Sequence, residues 1–235
     1  DFYSWHGYSD DAAAFCGAVN DVKAKLAPHP RLSHVETMIT EWNFDLGQTH
    51  PPLEFQPAFI LEATRHFRQA GLSAAHYYHI RDTVVDEEVF SQFMSAQGAS
   101  NMANWWNNRP QNLGIYGNQG AMRPAYYSFL LLSRLVGPEL AVEASTADIR
   151  GFAVRTSDSL RAVLWNYGEG TTYNANITLP STACGSLRLS RLDAAGMAMK
   201  IVLQGEVSDL AATRPSILLP PYGILLLEVT RQGSQ

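Results

Sequence analysis

The first half of the chain alternates between short strand-like runs and longer helical runs. The strand-like runs cover 1–8, 34–44 and 72–80, and the runs between them, 10–27 and 53–71, have helical composition. Strand starts therefore recur about every 35 residues with a helix between them, which is the pattern of parallel βαβ units. We predict a parallel sheet with one helix between successive strands.

The pattern changes near residue 140. From there the chain carries short runs of alternating apolar and polar residues, punctuated by Gly, Pro or Asp about every ten residues, with no helical run between them. This spacing is typical of an antiparallel β-sandwich. We place the domain boundary near residue 138, with an α/β domain over 1–137 and an all-β domain over 138–235.

A long segment separates the third predicted strand from the helix predicted over 123–137. It covers 81–122 and is rich in Asn, Gly and Trp. We interpret it as a loop, and a loop of this length is usually functional or an insertion. Trp105 and Trp106 within it form either an aromatic stacking platform or a hydrophobic clasp that pins the loop to the top of the sheet.

Polar side chains gather at the carboxyl ends of the three strands, where parallel α/β folds place their active sites. They are His6 and Tyr8 in the first strand, Glu41 and Asn43 in the second, and Tyr78, His79, Arg81 and Asp82 in or after the third. A carboxylate at the end of one strand beside an imidazole and a phenol on the next forms a candidate pocket. The alternative for Glu41 is an ion pair with a nearby Arg or Lys.

Side-chain alternation along a strand predicts which of these residues share a face. The two-residue period places Ile39 and Glu41 on one face of the second strand, with Glu41 at the top of a mostly apolar stack. In the first strand the same period places Ser4, His6 and Tyr8 on one face.

Composition limits the classes of partner. The formal net charge is −5 and no basic block is present, which argues against nucleic acid or an anionic membrane as the main partner. No apolar run reaches the roughly 20 residues that a membrane span needs.

Cys16 and Cys184 lie far apart and have no metal-ligand spacing, so we predict unpaired, buried thiols. No metal or other cofactor is indicated.

Four stretches together resemble the last third of a clan A glycoside hydrolase barrel. They are DFYSWHGYS at 1–9, ITEWNFDLGQTHPPLEFQPAFILEATRHFRQAG at 39–71, HYYHIRD at 76–82 and MRPAYYSFLLLSRL at 122–135. The family to which they are most similar is glycoside hydrolase family 39, the β-xylosidase and α-L-iduronidase family. The resemblance implies that 1–137 holds the last three βα units of a (β/α)8 TIM barrel, and that 138–235 is the β-sandwich accessory domain.

The resemblance also implies roles for the polar residues. Glu41 is then the nucleophile of a retaining glycosidase, which forms a glycosyl-enzyme that water later hydrolyses. Tyr8 orients Glu41 by donating a hydrogen bond to it. The remaining candidates contact the carbohydrate substrate, and they are His6, Asn43, Tyr78, Asp82 and Trp105.

Three residues after the third strand depart from the family pattern. Tyr78 stands where such enzymes commonly have a Trp, and His79 and Arg81 also differ. Arg81 either favours an anionic sugar or forms an ion pair with Asp82, Asp86 or Glu87, which is the commoner situation.

The second carboxyl group of a retaining glycosidase has no counterpart in the sequence. It lies about 5–5.5 Å from the nucleophile, and in this clan it follows an Asn at the end of the fourth strand. We therefore expect the chain alone to be inactive. Either a preceding segment of a longer enzyme or another polypeptide supplies the missing strands, or the protein is a non-catalytic carbohydrate-binding or structural relative. We favour the first explanation. An unrelated α/β domain fused to a sandwich is a further alternative.

Overall fold

The computed structural model describes residues 1–45, 52–108, 113–180, 183, 185–208 and 216–231. They form two compact units, which are Asp1–Pro52 with Ala63–Tyr126 and Leu53–Glu62 with Tyr127–Gln235. The sequence predicted a single boundary near residue 138, and that boundary stays a prediction.

The first unit is built on a three-stranded parallel sheet of order β1-β2-β3. The strands are β1 (Phe2–Tyr8), β2 (Glu36–Asn43) and β3 (Ala74–Tyr77). Helix α1 (Ala12–Leu26) follows β1, and α2 (Phe55–Gln69) follows β2. Both strand pairings are parallel, which confirms the predicted βαβ pattern.

Helix α1 shows how the sequence defines these elements. The side chain of Asp11 accepts a hydrogen bond from the amide of Ala13 and caps the first turn. Ala12, Phe15 and Val19 are buried and recur at helical spacing, so one face of the helix packs inward.

An aromatic cluster joins β2 to the helices of the first unit. The ring centroid of Trp42 lies 5.9 Å from that of Phe15 in α1 and 5.0 Å from that of Phe67 in α2. Tyr77 of β3 joins the cluster at 5.1 Å from Trp42. Such edge-to-face contacts add to the hydrophobic contribution of burying the rings. The cluster therefore fixes both helices against one face of the sheet.

The segment predicted as a long loop contains two helices, so that prediction is wrong. They are α3 (Glu87–Phe90) and α4 (Ala96–Asn107). Each begins with a capping side chain, Asp86 for α3 and Ser95 for α4, which accepts hydrogen bonds from backbone amides of the first turn. Two polar residues of the segment, Asp86 and Ser95, therefore start helices.

The second unit contains two antiparallel sheets and a helix, α5 (Ala125–Ser133), within the predicted helical run. A six-stranded sheet has the order β4-β5-β6-β11-β8-β9, and a two-stranded sheet pairs β10 with β7. The strands are β4 (Glu139–Leu140), β5 (Ile149–Arg155), β6 (Ser159–Asn166), β7 (Tyr173–Asn176), β8 (Ser186–Asp193), β9 (Ala198–Glu206), β10 (Ser216–Leu219) and β11 (Ile224–Thr230). The antiparallel pattern is confirmed. The short strands β4 and β10 were not predicted.

One apolar core lies between the two sheets of the second unit. Leu187, Leu189 and Leu227 of the larger sheet cluster with Ile217 and Leu219 of the smaller one. All five are buried. The inward-facing residues of alternating strands thus form the core of a sandwich.

Within the second unit, to which the first turns of α2 up to Glu62 belong, a buried carboxylate links those turns to the larger sheet. Glu62 is 2% exposed. Its Oε2 accepts a hydrogen bond of 3.0 Å from the indole Nε1 of Trp165, and its Oε1 lies 3.6 Å from Nε of Arg150. A buried charge needs such partners, because leaving it unpaired costs several kcal/mol.

The described residues were predicted to include no membrane span and no metal-ligand cluster, and the cysteines of the chain were predicted to be buried and unpaired. No helix among the described residues is both long and apolar enough to span a bilayer. They also contain no group of three His, Cys, Asp or Glu side chains that could hold a metal ion. Cys16 is unpaired but only partly buried, and Cys184 lies outside the described residues.

We predict that Glu62→Ala lowers the free energy of unfolding by about 3 kcal/mol, because the indole N–H of Trp165 and the guanidinium of Arg150 lose a buried partner. Glu62→Gln should cost less, since its amide oxygen can still accept from Trp165. Urea unfolding followed by tryptophan fluorescence measures both changes. Asp21→Ala is the control, because it removes an exposed ion pair with Lys25 and should leave the midpoint unchanged. Equal midpoints for Glu62→Ala and the unaltered chain would contradict this role.

Candidate active site

Glu41 lies at the end of β2, and one of its oxygens contacts two polar side chains. Its Oε2 accepts a bond of 3.0 Å from the hydroxyl of Tyr8 and lies 3.1 Å from Nδ1 of His6. The Glu41 side chain is 34% exposed and that of His6 is 58% exposed. Among the described residues, no Arg or Lys pairs with Glu41. The three predicted neighbours are therefore in contact, and the ion pair considered as an alternative is not formed with a described residue.

A β-bulge determines which face of the sheet carries Glu41. Trp5 pairs with Ile39 and the next residue, His6, pairs with Glu41, so Thr40 is an extra residue in β2. An extra residue reverses the alternation of side chains beyond it. The prediction that Ile39 and Glu41 share a face is therefore wrong.

The neighbours of β2 show the reversal directly. A Cβ placed on Gly7 would lie 3.2 Å from the Phe15 ring and 3.8 Å from Cγ2 of Ile39, so Gly7 and Ile39 face α1. Trp42 also faces α1, because its ring packs on Phe15. Glu41, the residue before Trp42, consequently faces away from the helices. His6 and Tyr8, which flank Gly7, face the same way, as predicted for the first strand.

The phenols beside Glu41 are held in their protonated form. Partial burial, the hydrogen bond to Glu41 and its negative charge raise the pKa of Tyr8 far above its usual value. Burial and, to a lesser degree, the Glu41 charge also raise the pKa of Tyr78. The ring of Tyr78 lies 6.3 Å from that of Tyr8 in an edge-on arrangement. Tyr8 thus remains a hydrogen-bond donor throughout the neutral and mildly alkaline range.

Asn43 is fully buried and its amide is engaged with the backbone. Its Nδ2 donates to the carbonyl of Tyr78 and, at 3.1 Å, to that of Leu113, while its Oδ1 accepts from the amide of Phe44 at 2.8 Å. These bonds fix the end of β2 against the chain that follows β3. Asn43 therefore positions the Tyr78 backbone, and its predicted contact with substrate stays a prediction.

Asp82 is likewise buried, at 2% exposure. It forms an ion pair with Arg123, lies 3.1 Å from Nε2 of His79, and accepts a hydrogen bond of 2.7 Å from the amide of Gly114. Its carboxylate is therefore satisfied by the protein, and a direct contact with substrate stays a prediction. Arg81 does not pair with Asp82, since its guanidinium donates to the carbonyl of Asn118. No sequence pattern singled out Arg123, because it lies far from Asp82 along the chain.

The two tryptophans of α4 differ in their surroundings. The indole Nε1 of Trp106 donates a bond of 2.9 Å to the carbonyl of Thr83, and its ring lies 6.5 Å from that of Tyr78. Trp105 lies 5.7 Å from Trp106 and is 43% exposed. Trp106 thus attaches α4 to the chain after β3, as the second interpretation held, while Trp105 presents an exposed ring. Tyr8, Tyr78, Trp106 and Trp105 form an aromatic row that leads outward from Glu41.

Known proteins resemble this chain in structure. No protein-family model matches the sequence, and no curated protein matches it. Several solved structures match its fold. A glucosidase from Croceicoccus marinus superimposes with a TM-score of 0.64 at 15% identity, over 98% of this chain and 54% of that one. A monomeric β-xylosidase from Caulobacter crescentus CB15 gives 0.64 at 15% identity, over 99% and 56%. A GH39 enzyme from Xanthomonas axonopodis pv. citri gives 0.63 at 13%, over 98% and 55%.

The chain shares its fold with part of a family 39 glycoside hydrolase. It spans about half the length of the structures that it matches. At these identities the likeness concerns the fold alone, and at that level it confirms the resemblance found in the sequence. The roles of the individual residues stay predictions.

We predict that Tyr8 does not ionise with the ordinary tyrosines of the folded chain. Because its folded pKa is raised above the model-compound value of 10.0, the stability that its phenol contributes is present below pH 10 and is lost as the pH rises toward the folded pKa. In absorbance titration at 295 nm, Tyr8→Phe should leave the amplitude between pH 9 and about 11 unchanged. In guanidinium chloride the same substitution should remove one tyrosine equivalent near pH 10. Loss of that equivalent in the folded chain would contradict the assignment.

Proposed function

We propose that the chain is the C-terminal part of a retaining glycoside hydrolase, in which β1, β2 and β3 are the last three strands of a (β/α)8 barrel. The observation that carries the proposal is a carboxylate at the end of a parallel strand that contacts the side chains of Tyr8 and His6 through one oxygen. The fold shared with solved glycosidases supports it. Glu41 is the nucleophile in this proposal.

The two carboxylate oxygens of Glu41 have different roles in this proposal. Both contacts of Glu41 within the described residues involve Oε2, so Oε1 is the oxygen that faces the substrate. Oε1 attacks the anomeric carbon and forms the glycosyl-enzyme ester as the bond to the leaving oxygen breaks. Water then cleaves that ester from the opposite direction, so the sugar is released with its configuration retained. Tyr8 stays protonated and keeps Glu41 in the attacking orientation throughout.

A second carboxyl group must protonate the leaving oxygen and later activate the water. We propose that it comes from the strands that complete the barrel, contributed by a preceding segment or by a companion chain. Within the described residues, β1 lies at one edge of its sheet and β3 at the other. The side chains of Phe2 and Tyr3 on β1 are 62% and 47% exposed. An edge strand with exposed apolar side chains is suited to pairing with a further strand.

The substrate that we propose is a xyloside or a related glycoside that is cleaved from its end. Tyr78 lies beside Tyr8 and supplies a ring for the sugar bonded to Glu41. The exposed ring of Trp105 then contacts the next sugar outward, because sugars stack on aromatic faces. His6 is exposed enough to contact the inner sugar from the other side of Glu41.

The alternative is a non-catalytic carbohydrate-binding or structural module. It is favoured by one observation, namely that no second carboxyl group is among the contacts of Glu41 in the described part of the chain. Such a module would bind sugars through the aromatic row and would show no turnover in any assembly. The two proposals therefore differ in what happens once the barrel is complete.

We predict that Glu41→Gln, in the longer protein or in the complex with the companion chain, reduces turnover of an aryl xyloside at least about a thousandfold, because no ester can form. Glu36→Gln is the matched control, since Glu36 is exposed at the opposite end of β2. A 2-deoxy-2-fluoro glycoside should label the peptide that contains Glu41, as detected by mass spectrometry. Turnover that survives Glu41→Gln would refute the nucleophile assignment, and an assembled barrel with no turnover would favour the binding module.

We predict that Trp105→Ala weakens binding of xylotriose by about three- to tenfold and leaves binding of xylose unchanged, because only the longer sugar reaches the outer ring. Calorimetric titration of the assembled protein measures both affinities. Phe93→Ala is the control, since Phe93 is an exposed aromatic side chain in the same segment and lies outside the row. An equal loss for both sugars, or none for xylotriose, would remove Trp105 from the substrate site.

A further inference from the structure

The second unit contains an apolar cavity that its own side chains leave open. It has a volume of about 320 Å³ and lies between the inner face of the six-stranded sheet and the segment of β7. Its lining includes Leu140, Ala153, Ala162, Leu164, Ile177 and Leu179. Glu143, Ala144 and Ser145 on its lining are exposed, so the space is a cleft that opens to solvent.

The sheet register explains why the space exists. Ala153 of β5 pairs with Ala162 of β6, Ala162 pairs with Leu227 of β11, and Leu227 pairs with Leu189 of β8. The four side chains form one row across the inner face. All are buried. The row changes from leucine to alanine on passing from β8 to β5, so the sandwich is filled at one side and hollow at the other.

The neighbouring row limits the hollow. Gly151 of β5 pairs with Leu164 of β6, which pairs with Leu225 of β11. A Cβ on Gly151 would lie 2.6 Å from Cδ2 of Leu164 and 2.9 Å from Cγ1 of Val142, so these side chains already fill the space inward of Gly151. The hollow therefore lies beside Ala153 and Ala162.

We propose that this cavity, lined by Leu140, Ala153, Ala162, Leu164, Ile177 and Leu179, binds a neutral, mainly hydrocarbon molecule with one hydroxyl or carbonyl group. Its volume is roughly twice that of the 150 Å³ apolar cavity known to accommodate benzene in another protein. Ligand pockets of small molecules begin at about this size and are mostly apolar. The cavity volume thus suits a ligand with one alkyl chain of medium length or a ligand with two small rings.

The rim of the cavity determines the polarity of the ligand. Ser145, Thr146 and Thr178 supply hydroxyl groups to a single polar end. Glu143 is the charged residue among the described lining residues, and it is exposed, so a ligand carboxylate is disfavoured. Tyr173 is the aromatic residue among them, and its hydroxyl donates to Asp148. Asn174 and Asn176 are also on the lining, and both are exposed, so the polar groups lie at the edge of the space and the aliphatic side chains at its base.

The binding test uses the whole chain and the neutral fluorophore N-phenyl-1-naphthylamine. We expect its fluorescence to rise to saturation at one site per chain, with displacement by 1-decanol. Decanoate, which has the same chain with a carboxylate, should displace it at least tenfold less effectively because of Glu143. Glu143→Gln should reduce that difference without altering the affinity for the neutral probe. Non-saturable binding, or equal displacement by the two competitors in both proteins, would overturn the proposal.

Filling the cavity provides the second arm of the test. Ala162→Leu and Ala153→Leu place additional carbon atoms in the hollow, so each should weaken probe binding at least tenfold and raise the thermal midpoint. Ala195→Leu adds the same volume at an exposed position and should change neither quantity. Ala153→Val adds less volume and serves if either leucine variant fails to fold. Unchanged probe binding in the folded variants at both positions would show that the probe binds elsewhere and would overturn the assignment.

Discussion

The bulge at Thr40 is the constraint on which the candidate site depends. Without it, regular alternation would place Glu41 on the same face as Ile39, among the side chains that pack on α1. The aromatic cluster of Trp42, Phe15 and Phe67 holds the next residue firmly on the helix side. Because Trp42 is held there, the extra residue Thr40 is what places Trp42 on the helix side of β2 and Glu41 on the opposite side. The burial of the Trp42 ring against the helices thus determines which face of the sheet carries the Glu41 carboxylate.

Three of the described carboxylates differ in their partners in a way that bears on their roles. Glu62 and Asp82 are buried and each pairs with an arginine, Arg150 and Arg123 respectively. Glu41 is partly exposed and has a phenol and an imidazole as its described partners. A guanidinium occupies carboxylate oxygens with two-pronged bonds and neutralises their charge, which suits a structural link. The described contacts of Glu41 involve one oxygen and leave the other available, as the nucleophile that we propose requires.

Local sequence patterns were sufficient to predict most elements of the fold but not the details of the site. The runs that became β1, β2, β3, α1 and α2 were recognised because strand and helix periods are properties of neighbouring residues. The bulge was missed because it depends on the pairing of β1 with β2, and the pairing of Asp82 with Arg123 because the two residues are distant in sequence. Helix α4 was missed because a segment rich in Asn and Gly has weak helix propensity. The hollow beside Ala153 and Ala162 required the register of three strands, which no single run contains.

The exposed face of the parallel sheet has a consequence for the chemistry of Glu41. Helices cover the face that carries Trp42, whereas His6, on the face that carries Glu41, is more than half exposed. Electrostatic stabilisation of a glycosidase transition state is strong only where water is excluded, because the effective dielectric constant falls there. The strands that we propose as the missing part of the barrel would therefore do more than add an acid. By covering that face they would strengthen the contacts of Glu41 with Tyr8 and His6 and bring substrate, nucleophile and acid into one water-poor space.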